Sequence, residues 1–137
     1  MTARADARRH EEDAEGLGIE GYGVVLDIPR LRLALIRGDL DAVGRLLETP
    51  LPIRGWYRGW MALATMVTRL DGLAALRDRE RAECEAAQHL RPNTYLELFA
   101  LRTLGVVRED EELVRLAQDR FRGLGLEWHA AQTRALL

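Results

Sequence analysis

Apolar residues recur along this chain at three- and four-residue spacing, and turn signals cut that pattern into short lengths. Leu40, Val43 and Leu47 fall on one helical stripe, as do Trp56, Trp60, Leu63, Val67 and Leu70, and then Leu98, Leu101 and Leu104. A stripe of this kind buries one side of a helix and must find another helix to cover it. No two segments show the strict alternation expected of paired strands. The expected fold is therefore all-α: about seven helices, arranged as antiparallel pairs stacked into a short α-solenoid or a compact helical bundle.

The breaks set the element boundaries. Residues 1–26 read as a polar N-terminal helix or tail followed by a Gly-rich loop (Gly16, Gly18, Gly21, Gly23), and residues 27–137 as a helical-repeat domain. Asp27 before Ile28-Pro29 looks like a helix start, since Asp accepts from free first-turn N–H groups and Pro tolerates the first turn. Gly38 then closes that helix and Asp39 opens the next, so ALIRGDLDAVGRLLE reads as helix, tight turn, helix. Pro50 and Pro52 stop it. A helix over Trp56–Leu70 is expected to break at Asp71-Gly72, and another to run from Leu73 to His89 with a thin apolar face and paired charges along RDRERAECEAA.

After Arg91-Pro92-Asn93, Thr94 and Glu97 fit a capping box at the head of a helix carrying Tyr95, Leu98, Leu101 and Leu104. Gly105 and the acidic run Glu109–Glu112 mark the next turn and helix start, where carboxylates complement the helix dipole. Leu113, Leu116, Ala117, Phe121 and Leu124 share the face of that helix, and Gly123 and Gly125 end it. A last helix, Glu127 to Leu136, is expected to bury Trp128, Ala131 and Ala135.

Composition closes several chemistries. All 20 basic residues are Arg, and the 137 residues contain neither Lys nor Ser. No serine nucleophile, lysine Schiff base or P-loop lysine is available. The single cysteine, Cys84, sits between Glu83 and Glu85, whose charges disfavour a thiolate. A formal net charge of -2 argues against a dedicated nucleic-acid binder. No apolar run approaches the roughly 20 residues that span a bilayer, and the polar start lacks the apolar core of a secretory leader, so a cytoplasmic location and no membrane partner are expected.

LALIRGDLDAVGRLLE and LGVVREDEELVRLAQDRFRGLGLEWHAAQTRALL resemble tetratricopeptide-like helical repeats. The closing stretch is similar to the C-terminal repeats of large ATPase-containing transcriptional regulators and adenylate-cyclase-like proteins of high-GC bacteria. Leu101, Leu104-Gly105, Ala117 and Phe121 stand at the small and large packing positions of such a repeat. The repeat's tyrosine position falls on Arg108 and its closing proline on His129, and the middle pair, Trp56–His89, departs from the pattern. The nucleotide-binding, cyclase and DNA-binding segments of those regulators have no counterpart here. What the resemblance implies is a non-catalytic, regulatory scaffold for a protein, peptide or small effector.

On that reading the concave surface is formed by the helices beginning near Trp56 and Thr94, with Tyr57, Arg58, Tyr95 and Arg102 as partner contacts: aromatic packing plus bidentate recognition of a carboxylate. The alternative is a small-molecule sensor with a pocket near Trp56 and Trp60, although two Trp at i, i+4 also suit a helix core. His10, His89 and His129 lie far apart, no HExxH or Cys/His pair has metal spacing, and the acidic run 109–112 is explained by a helix start. No catalytic residue, metal site or cofactor is expected. Apolar faces at the ends of a short stack make a homodimer possible.

Overall fold

The computed structural model describes residues 22–48 and 60–137, with side chains over 28–48 and 62–137. Among these residues there are seven α-helices and no strand: α1 Tyr22–Arg37, α2 Leu40–Glu48, α3 Trp60–Leu76, α4 Arg79–Ala87, α5 Tyr95–Arg108, α6 Glu111–Gly123 and α7 Glu127–Arg134. The chain divides between Ala64 and Thr65 into two compact units. That division falls inside what the sequence reads as one repeat domain over 27–137. The expected N-terminal helix or tail lies largely outside the described residues.

Helix α1 starts earlier than expected. It is already helical at Tyr22, so Asp27 does not open it and Pro29 sits two turns inside. There the proline ring removes one helical hydrogen bond instead of occupying the harmless first turn. Leu31 and Ala34 of α1 are buried in this unit, as are Val43 and Leu47 of α2. Leu40, expected on the buried stripe, is exposed.

One turn joins successive helices four times. Between α1 and α2, Gly38 adopts φ +66°. Its N–H donates to Leu35 O at 3.2 Å, and the N–H of Asp39 donates to Ala34 O at 3.0 Å. Those two bonds satisfy carbonyls that a helix end otherwise leaves open. Asp39 then caps α2, its Oδ1 accepting from the Ala42 N–H at 3.0 Å. The same bonds recur with Arg77 (φ 52°) and Asp78 between α3 and α4, and with Glu109 (φ 56°) and Asp110 between α5 and α6. Asp78 accepts from Arg81 N–H at 3.2 Å and Asp110 from Leu113 N–H at 3.1 Å. Gly125 and Leu126 repeat the backbone turn before α7 without a side-chain cap.

Two expected breaks are therefore misplaced. Asp71-Gly72 lies inside α3, which runs on to Leu76. Leu70, Gly72 and Leu73 are all buried there. Burying two leucines outweighs the roughly 1 kcal/mol helix penalty of glycine. Gly105 is likewise inside α5, not in a turn. A Cβ at Gly105 would meet the Val114 Cγ2 at 2.6 Å and the Val114 backbone N at 2.9 Å. It lets α6 approach α5 closely.

The core of the second unit gathers Val67 and Leu70 of α3, Ala86 of α4, Leu98, Phe99, Ala100 and Leu104 of α5, Ala117 and Phe121 of α6, and Ala130 of α7. Contacts run in chain order, α4 to α5, α5 to α6 and α6 to α7. This sequential packing of short hairpins is consistent with a helical-repeat or compact-bundle architecture. Helix α4 buries only Ala82 and Ala86, in keeping with its thin apolar face. Leu116 and Leu124, expected on the buried face of α6, are exposed. Trp128 is 64% exposed, and Ala131 and Ala135 are exposed with it. Helix α7 instead buries Ala130 and Thr133, because its inward face is set by the His129 ring stacking on Phe121 at 5.3 Å.

Candidate functional site

Of the two predicted contacts among the described residues, Tyr95 and Arg102, the one left open is in the first turn of α5. Tyr95 is 42% exposed, and its ring lies 5.0 Å from that of Phe99 one turn on. The preceding corner, Leu90 to Asn93, is exposed as well. This corner is firmly held. Asn93 adopts φ 63°, a left-handed conformation that Asn tolerates better than most residues. Its N–H donates to Glu97 Oε2 at 2.9 Å, while the Thr94 hydroxyl donates to Arg91 O at 2.8 Å. The expected capping box is thus only half made. Glu97 reaches back, but to the N–H of Asn93, one residue early, and the Thr94 side chain caps nothing. The same Glu97 oxygen also lies 3.4 Å from Nη1 of Arg120 on α6, so the buried carboxylate is shared between the corner and α6.

Arg102 lies on the same side of α5, seven residues beyond Tyr95, but it turns inward. It is 6% exposed. Its Nη2 pairs with Asp71 Oδ1 of α3 at 2.5 Å, and Nη1 donates to the Thr133 hydroxyl of α7 at 3.4 Å. The guanidinium also lies 5.1 Å from the Phe99 ring centre and 5.4 Å from that of Phe121. Arg102, expected to meet a partner carboxylate, has an internal one in Asp71. Prising it loose would leave a buried charge unpaired, at a cost of about 3–5 kcal/mol.

Tyr95, Phe99 and Arg102 therefore form a row in which only the first member reaches solvent. Phe99 packs edge-on against Phe121 at 5.0 Å and against His129 at 5.0 Å. His129 is half-buried in this aromatic group. Sequence reasoning passed over Phe99 and Asp71. Phe99 follows Leu98 and so falls beside the single apolar stripe, and Asp71 looked like a helix breaker.

Further ion pairs link α3 to α4 and α4 to α5. Arg69 of α3 holds Glu85 of α4 through Nη2 at 2.6 Å and Nε at 3.2 Å, the fork geometry that makes Arg–carboxylate pairs strong. Glu83 of α4 accepts from Arg108 of α5 at 2.9 Å and from Arg79 at 3.1 Å. Those bonds, Arg108 first, hold the Glu83 carboxyl below its ordinary range. Burial lowers His89, at the end of α4, against an opposing pull from Glu85. Cys84 is an exposed free thiol.

Tyr57, Arg58 and Trp56 lie outside the described residues. Trp60 opens α3, but its side chain lies outside them too, and with it the expected pocket. His10 also lies outside. Among the described residues no group of three His, Cys, Asp or Glu could hold a metal ion, and no helix is long and apolar enough to cross a membrane. Comparison with protein families, with curated proteins and with solved structures finds no match.

Proposed function

We propose that this chain is a non-catalytic helical scaffold, tetratricopeptide-like in construction, that binds a protein or peptide partner in a regulatory role. One observation carries the reading: the most enclosed ion pairs among the described residues are engaged between helices. Arg102 with Asp71, Arg69 with Glu85 and Arg120 with Glu97 each join one helix to another. Such pairs fix how helices stack. General acid–base work instead needs a titratable group with access to a bound substrate.

Contact with the partner falls to the Leu90–Tyr95 corner. Tyr95 is a large amphipathic side chain whose base is already packed on Phe99 and whose edge is open. Ordering it on binding costs little rotamer freedom, which is what makes tyrosine effective at interfaces. Arg91 and Leu90 beside it add charge and apolar area. Tyr57 and Arg58 are proposed as partner contacts on the strength of the sequence alone. Capture on the immobilised chain tests this. Protein retained by the wild type should be lost on Tyr95→Ala, with the melting temperature unchanged. Retention that ignores Tyr95→Ala, or a melting shift produced by a metabolite, would point away from this scaffold.

A further inference from the structure

The outer face of α7 is apolar, open and self-complementary. With about 100° of turn per residue, Ala130 and Thr133 point into the unit, while Trp128, Ala131 and Ala135 share the opposite side, centred on Ala135 and Trp128. Glu127 and Arg134 are both exposed, and both stand on one flank of that side. They are two helical turns apart, roughly 10.5 Å along the axis. Among the described residues neither makes an ion pair. Leu124 just before the turn, and Leu136 and Leu137 after the helix, add exposed apolar surface at both ends of α7.

The geometry points to a second copy of this chain as the occupant of this face, with the two α7 helices packed antiparallel across a two-fold axis near Ala131. A two-fold axis of that kind keeps a flank on its own side and reverses the direction along the helix. Glu127 of one copy then stands opposite Arg134 of the other, twice over. Trp128 of each copy lies over the small Ala135 of the other, and the two Ala131 residues let the backbones approach at the crossing. A partner of different sequence would need to supply all these matches independently. A second copy supplies them by symmetry, with the same patch on both sides. One eight-residue helix with its flanking leucines is smaller than the roughly 800 Å² per partner of a standard interface, so the dimer is weak and exchanges readily. This surface is separate from the Tyr95 corner and does not depend on the role assigned there.

Sedimentation equilibrium of the 137-residue chain over a concentration series, with Glu127→Arg, Arg134→Glu and Trp128→Ala beside it, tests the pairing. The wild type should rise from monomer toward dimer mass. Each charge reversal places like charges opposite one another in both symmetric pairs and should weaken association about tenfold. Mixing the two reversed chains in equal amounts should restore it, because in the mixed dimer every Arg again faces a Glu. Trp128→Ala should remain monomeric while keeping the wild-type circular dichroism. A wild type that stays monomeric at the highest concentration overturns the inference. So do reversals that associate like the wild type, or a mixture no better than its components. If Glu127 and Arg134 served only the dipole of their own helix, both reversals would lower the melting temperature and leave mass unchanged, which would equally defeat it.

Discussion

Helices α5 and α7 both pack against the Phe121 face of α6, one through Phe99 and the other through His129. They bury themselves very differently. Helix α5 is buried almost continuously from Glu97 to Val107, with polar and charged side chains taken inside. Helix α7 buries Ala130 and Thr133 and turns a tryptophan outward. The difference is one of position in the stack. A helix with neighbours on several sides must satisfy every polar group internally, whereas α7 meets the rest of its unit with one face. Phe99→Ala should therefore be the most damaging of simple truncations, costing about 4 kcal/mol for a large fully enclosed ring. Trp128→Ala, although it removes a larger side chain, should change monomer stability by less than about 1 kcal/mol. Urea denaturation at low protein concentration measures both. Equal losses would erase the distinction between the two helices.

The ion pair at the centre of α5 sharpens the same contrast. Asp71→Ala leaves the Arg102 guanidinium enclosed by Phe99, Phe121 and Thr133 without its carboxylate, and should cost about 3 kcal/mol. Replacing both members, Asp71→Ala with Arg102→Met, should recover much of that loss, since an apolar chain of similar length suits the aromatic surroundings. Denaturation of the single and double variants gives the coupling directly. A double variant no better than Asp71→Ala alone would mean that Arg102 serves mainly as packing.

The legibility of the sequence follows the same lines. Turns built from glycine and aspartate could be read: Gly38 frees the left-handed conformation and Asp39 caps, and the acidic run before α6 supplies Asp110. The turn at Arg77-Asp78 could not, because arginine in a left-handed conformation leaves no local mark, and Asp71-Gly72 offered a plausible decoy nearby. One apolar stripe was visible on α5, through Leu98 and Leu104. That Phe99 and Arg102 are also enclosed depends on α3, α6 and α7, and the Asp71 that neutralises Arg102 lies 31 residues away. On α7 the apolar character of Trp128, Ala131 and Ala135 was plain. Which side turned inward was settled by His129 and Thr133 meeting Phe121 and Arg102, contacts between segments that no spacing encodes. Of the candidate contacts among the described residues, Tyr95 is the one at the surface, and it is legible as an aromatic at a helix start.

The exit of α5 and the entrance of α7 supply the finest comparison. Both use a left-handed residue, but α5 ends on Glu109 (φ 56°) where α7 is preceded by Gly125 (φ 71°). A side chain in that conformation costs roughly 1 kcal/mol that glycine avoids. Against this, glycine loses somewhat more chain entropy on folding. Glu109 also pairs with Arg77, another side chain held left-handed, at 3.3 Å. Both partners are well exposed, so the pair contributes little. Glu109→Gly should then stabilise the chain by about 0.5–1 kcal/mol, raising the melting temperature by roughly 2–4 °C, and Arg77→Gly should do the same. Gly125→Glu, which installs the strain at the entrance of α7, should lower it by a similar amount. If Arg77→Gly and Glu109→Gly both lower the melting temperature instead, the ion pair between the two turns outweighs the strain it bridges, and the edge of the stack is held by charge more than by backbone geometry.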